Sequence, residues 1–211
     1  MQNIFENVLR SEDWQVVDKL PKFVLKEFYL AGGTGLALQI GHRYSYYLDF
    51  FSNVSFNNLD LKNQLNTIGK FKLFQDHKGT LEGVVDQTRV TFLFYPYLLL
   101  EKTAAFHQIN LASMMDIALM KLSSLSSRGS KKDFIDLFFL KDFLDWPMII
   151  VRFEKKFKGS GYNIYHLIKS LTFFKDALQE PDPNMITPYN WKHVEDYFKK
   201  VQMQLADLHL K

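Results

Sequence analysis

Cysteine is absent from the 211 residues, which excludes disulfides, thiolate metal sites and thiol nucleophiles and fits a reducing cytoplasm as the expected setting. An excess of one charge sign is missing too. The 26 basic and 23 acidic side chains leave a net charge of +3, too little for the total alone to announce nucleic-acid binding. No segment approaches ~20 uninterrupted apolar residues, so a membrane span is not expected. The opening MQNIFENVLRSEDW carries acids and no long apolar run, unlike a signal peptide. Internal repeats and low-complexity tracts are also lacking. What is present is globular material, 47% hydrophobic and 16% aromatic, enough to bury one sizeable core or a main domain with a helical appendage.

Two halves read differently. Residues 12–27 suggest a helix broken at Pro21, and Phe28 to Ala31 a short buried strand. Gly32 and Gly33 stop that strand, and Thr34 is placed to cap a helix running to Gln39 or Ile40. Tyr46 to Phe51 is β-rich, Asn53 to Asn58 a polar loop, and Leu61 to Ile68 a helix. FKLF, LEGVV and RVTFLFY follow as strands, the last two joined by a tight turn at Asp86 and Gln87. After Pro96 the chain is expected to turn helical, over Ser113–Ser123, Ser130–Phe143, Met148–Phe157, Tyr165–Phe174 and Trp191–Leu208, with KGSGYN (Lys158–Asn163) as a loop. The expected class is α+β: a mixed-sheet core over 1–110 and a helical region over 111–211 packed on it.

Three groups of residues carry chemistry. A Gly-Gly-Thr turn feeding a helix lets backbone approach a ligand and aims N–H groups at an anion such as phosphate; a tight turn with no ligand is the plainer reading. Along Tyr46–Phe51, Tyr47 and Asp49 share one side of the strand while Leu48 and Phe50 share the other. An acid inside an apolar run is costly unless it is paired or binds metal, so Asp49 is either a functional group or the partner of Arg43 or a nearby lysine. In MMDIALMKLSSLSSRGSKKDFIDLFFL, the pairs Ser113/Asp116 and Ser130/Asp133 look like capping pairs that start two helices. That leaves Lys121 and Asp136 unexplained among apolar neighbours. Arg128, Lys131 and Lys132 crowd the turn, where cations suit a triphosphate or an RNA backbone, or simply form a solvated basic turn.

Taken together, FYLAGGTGLALQIGHRYSYYLDFFS, RVTFLFYPYLLLE and the stretch Asp116–Leu140 with its MK and RGSKKDFIDLFFL elements resemble the AbiEii/AbiGii toxin family of nucleotidyltransferases, within the polymerase-β-like superfamily. The resemblance covers roughly Phe28 to Phe143. It implies a nucleotidyltransferase-like mixed sheet with flanking helices and a C-terminal helical region. It also implies transfer of a nucleoside monophosphate from an NTP, with magnesium, onto a hydroxyl of an acceptor such as a tRNA end or a protein. The setting would be a cytoplasmic toxin–antitoxin or abortive-infection module with a cognate antitoxin. Gly32, Gly33 and Thr34 would contact phosphates, with Arg43, Ser45, Arg128 and Lys132 as further substrate contacts. Asp49 would bind metal, Lys121 would neutralise phosphate charge, and Asp136 would complete the site.

Here a last absence matters. The family block reads serine, any residue, acid, aliphatic, acid; Ser45 and Asp49 match, while Tyr47 stands in the first acid's place. The later strand offers Thr91 where a third carboxylate is expected. Two ions about 3.5–4 Å apart need bridging carboxylates, whereas a single magnesium often takes only one or two. Phenol, with a pKa near ~10, is a poor substitute. The expectation is therefore a magnesium-dependent nucleotidyltransferase with one or two ions, the second poorly provided for, either active or a descendant with reduced activity; the alternative is a non-catalytic nucleotide- or RNA-binding protein that has lost metal ligands.

Overall fold

In the computed structural model, which describes residues 4–209, the chain divides into two compact units, 1–113 and 114–211. The first unit opens with α1 (Ser11–Lys19) and α2 (Lys22–Glu27), separated at Pro21. Then come β1 (Tyr29–Leu30), α3 (Gly32–Ile40), β2 (Tyr47–Ser52), α4 (Asn58–Ile68), β3 (Phe71–His77), β4 (Thr80–Val85), β5 (Thr88–Phe94), β6 (Ala104–Phe106) and β7 (Ile109–Leu111). The strands form one mixed sheet in the order β3-β4-β5-β2-β1-β7-β6. β2 lies parallel to β5 and antiparallel to β1, and β1 is parallel to β7.

Alternation along the strands decides which face is core. Leu48 and Phe50 of β2, Val90 and Phe92 of β5 and Leu81 and Val85 of β4 are buried with Val17 of α1, Val24 of α2 and Leu61 and Leu65 of α4. The Phe50 and Phe92 rings stack at 5.2 Å. Each such side chain contributes about 1.5–3 kcal/mol through burial, so the period-two pattern fixes the register: a one-residue slip would turn Asp49 into this core. The expected hairpin turn is present, with Asp86 at φ 54° between β4 and β5. Asn57 caps α4, its side-chain oxygen accepting from Leu59 N and Asp60 N.

Two expectations fail in this unit. The chain does not turn wholly helical after Pro96: β6 and β7 form a short hairpin, with His107 at φ 48° between them. Nor does Thr34 cap α3. The helix begins three residues earlier, with Ala31 as its N-cap and no side-chain cap, because Gly32 adopts φ 61° and makes the sharp exit from β1 itself.

The second unit contains α5 (Met114–Ser127), α6 (Lys131–Phe139), α7 (Trp146–Lys156), α8 (Ile164–Ser170) and α9 (Trp191–His209). Phe134 of α6 centres its core, with ring centroids 5.0 Å from Phe174 and 5.2 Å from Phe198. KGSGYN is the expected loop, Gly159 and Gly161 both at φ 80°. The helix expected over Tyr165–Phe174 ends at Ser170. The capping pair at Ser130/Asp133 is replaced: Ser130 supplies no side-chain cap, and Glu180 instead accepts from Lys131 N and Ser130 Oγ, both at 2.9 Å. Asp116 and Asp133 are drawn into buried ion pairs, described below. No helix among the described residues is long and apolar enough to cross a membrane.

Candidate functional site

The glycine turn, β2 and the loop before it converge. A Cβ on Gly32 would lie 3.2 Å from Asp49 Oδ2, and one on Gly33 would lie 2.2 Å from Arg43 Nη2. Glycine is therefore required twice in succession: the first bare Cα seats a carboxylate, the second a guanidinium. Arg43 is 5% exposed and donates from Nη1 to Tyr44 O at 3.1 Å, which fixes the guanidinium against the helix start. The first N–H groups of α3 have no acceptor within the helix, and the first such bond is Gly35 N to Ala31 O at 2.9 Å. A helix N-terminus, an arginine and a half-buried aspartate thus border one turn.

Thr34 and Ser45 support this arrangement from below. Thr34 Oγ1 donates to Tyr47 O and lies 2.6 Å from Ser45 Oγ. Each hydroxyl has one proton, so Ser45 is the donor to Thr34. Both side chains are buried, and they tie α3 to β2.

Asp49 sits in a row across the sheet face opposite the main core. Its register partner on β5 is Thr91, whose partner on β4 is Glu82. In the neighbouring row Tyr47 of β2 pairs with Arg89 of β5. Glu82 accepts from Arg89 Nη2 and, at 2.7 Å, from Arg89 Nε. That hydrogen bond is the main reason the guanidinium pKa is raised. Neither Glu82 nor Arg89 was singled out by sequence, because a charged pair on alternate strand positions reads as ordinary solvated surface.

Whether magnesium fits can be tested on these neighbours. Gly32 leaves room beside Asp49 Oδ2 that a Cβ would fill, and one carboxylate with phosphate oxygens and water suits a single hard cation. Tyr47 and Thr91 supply no carboxylate for a second. No group of three or more acidic, histidine or cysteine side chains able to hold a metal occurs among the described residues. The residues fit one ion and do not fit a pair.

Lys121, Asp136, Arg128 and Lys132 belong to the helical unit. Lys121 Nζ lies 2.8 Å from Asp133 Oδ1 and 2.5 Å from Asp136 Oδ2, with all three side chains at most 9% exposed. A second pair, Lys156 Nζ to Asp116 Oδ1 at 2.8 Å, is fully buried. Arg128 is exposed and lines a cavity of about 380 Å³ together with His166, Lys169 and Phe173. Lys132 is exposed on α6.

No family model matches this sequence. Among solved structures, a Helicobacter pylori protein proposed to be a nucleotidyltransferase superposes with a TM-score of 0.53 at 14% identity, covering 98% of this chain and 99% of that one. MenT4, a nucleotidyltransferase toxin from Mycobacterium tuberculosis, superposes with a TM-score of 0.53 at 15% identity, covering 94% and 86%. At such identities the likeness establishes the nucleotidyltransferase fold. By sequence, 33% of 199 aligned residues are identical to the uncharacterized protein aq_aa25 of Aquifex aeolicus, spanning 91% of this chain and 95% of that protein, and the chain belongs to the same family as aq_aa25.

Proposed function

We propose that the chain is a toxin-type nucleotidyltransferase, similar to the AbiEii/AbiGii family, that moves a nucleoside monophosphate from an NTP to a hydroxyl on RNA or protein. One observation carries this reading: the successive bare Cα atoms of Gly32 and Gly33 seat Asp49 and Arg43 at the start of α3. In the proposal the N–H groups of that turn and the Arg43 guanidinium hold phosphate oxygens. Asp49 holds one magnesium, which when bound supplies charge neutralisation to the phosphates. Thr34 and Ser45 keep α3 and β2 in register. Arg128 and Lys132 are assigned to acceptor or nucleotide phosphates, and Lys121 and Asp136 enter as candidate site residues alongside their ion-pair role. A cognate antitoxin and a cytoplasmic setting belong to the same proposal.

A second reading, a nucleotide- or RNA-binding protein without catalysis, is favoured by Tyr47 and Thr91 flanking Asp49 where carboxylates are expected. Incubating wild type, Asp49→Ala and Tyr47→Asp with each labelled NTP, magnesium or manganese, and total RNA separates the two. Transfer by wild type that vanishes in Asp49→Ala and rises in Tyr47→Asp is the expected result. Nucleotide binding without transfer in all three proteins selects the binder. Transfer that survives Asp49→Ala would remove both readings of this carboxylate.

A further inference from the structure

The sheet face that carries Asp49 also carries a ladder of aromatic and cationic groups that the glycine turn does not account for. The Arg89 guanidinium lies 5.0 Å from the centroid of the Tyr47 ring and 5.7 Å from that of Phe74, and Lys72 Nζ lies 5.9 Å from Phe74. A register shift between Leu73 and Gln75 inserts Phe74 as an extra residue in β3, and such a bulge re-aims a side chain. Tyr47 and Phe74 are 41% and 48% exposed. The two exposed rings and the guanidinium held by Glu82 are grouped on this face.

We infer that Tyr47, Arg89, Phe74 and Lys72 form a stacking shelf for single-stranded RNA, leading its end toward Asp49. Three features favour this occupant. Flat π faces alternating with cations match successive bases and phosphates, and stacking on aromatic side chains tolerates any base. Glu82 orients Arg89 while leaving its face on the two rings. Tyr47 stands two residues from Asp49 on the same strand face, about 7 Å away by strand rise, so a nucleotide stacked there has its neighbour at the carboxylate. Tyrosine in place of an acid thereby exchanges a metal ligand for a base contact. This inference rests on RNA as the acceptor in the proposed reaction, yet binding can be read without any transfer.

The test is fluorescence anisotropy of a ten-nucleotide labelled oligo(U) on the full chain, without NTP or metal. Phe74→Ala should weaken binding about tenfold, within the range measured for loss of a stacked base, and Phe74→Tyr should preserve it. Phe74 is half-exposed at the sheet edge, so its removal leaves the core intact; circular dichroism confirms folding. With two cations on the shelf, the slope of log K against log salt should be no steeper than roughly −1.4. An RNA duplex of equal length should compete poorly, since its bases are already stacked. Absence of oligo(U) binding, equal binding by Phe74→Ala, equal competition by duplex, or tighter binding of oligo(dT) than of oligo(U) overturns the inference. Loss of NTP transfer in Asp49→Ala with unchanged oligo(U) affinity would leave it standing, so it and the enzymatic reading fail separately.

Discussion

The two units of this chain treat charge in opposite ways. In the sheet unit Asp49 is half-buried, and it borders a glycine that leaves space at its oxygen. In the helical unit Lys121, Asp133, Asp136, Lys156 and Asp116 are buried and paired at 2.5–2.8 Å, with Asp133 Oδ2 left without a hydrogen bond. A buried ion pair is weak evidence of net stabilisation, because desolvation offsets much of the attraction, but breaking it from one side is severe. A half-exposed acid keeps part of its hydration, so changes around it cost less than changes around a buried pair.

Breaking the buried cluster should give the largest effect. Lys121→Met removes the ammonium that Asp133 and Asp136 share, and urea unfolding should show a loss of about 3–5 kcal/mol. Replacing all three, as Lys121→Met with Asp133→Leu and Asp136→Leu, should recover most of it, since a well-packed apolar set avoids the desolvation of charges. If the triple variant is stable and keeps nucleotide affinity, Lys121 and Asp136 are structural. If it is stable and has lost that affinity, the site roles that the resemblance implies for them gain support.

A smaller effect is expected at the sheet. Gly32→Ala places a Cβ 3.2 Å from Asp49 Oδ2 at φ 61°, and left-handed backbone strain costs about 1–2 kcal/mol. Magnesium-dependent nucleotide binding should fall much further than stability does, because the carboxylate is pushed off its seat. Calorimetric titration beside urea unfolding checks this; equal and small changes in both would show that the turn serves packing alone.

How legible this was in the sequence follows the same division. The strand–glycine–helix unit, the face shared by Tyr47 and Asp49 and the Asp86–Gln87 turn could be read because each rests on local rules: period-two alternation and glycine conformation. The β6–β7 hairpin was missed because three-residue strands carry no periodicity and their turn uses His107 at positive φ, where glycine or asparagine would have signalled it. Ser130 looked like a cap because its spacing to Asp133 is right, but Glu180, about fifty residues away, takes the Lys131 N–H and the Ser130 hydroxyl instead. Asp116 and Asp133 were read locally for the same reason, although their partners lie forty and twelve residues off. The Tyr47–Arg89–Phe74 ladder depends on register across four strands, β3-β4-β5-β2, and on a bulge, neither of which is written in any one segment.

The smallest effect should come from a charge the helical unit leaves in water. Asp182 accepts from Tyr189 Oη at 2.7 Å and from Lys131 Nζ at 3.0 Å, and its side chain is 65% exposed. Its pKa is lowered, first by the Tyr189 hydrogen bond and then by Lys131. A carboxylate depressed in the folded state adds stability above its unfolded pKa of about 3.9, and that stability disappears as pH falls through the folded value. Asp182→Asn should therefore cost under about 1 kcal/mol at pH 6, as exposed pairs do, and the gap between variant and wild type should close as the pH falls below about 4. A difference that persists at pH 2, or one as large as that of Lys121→Met, would show that exposure does not separate weak pairs from strong ones in this protein.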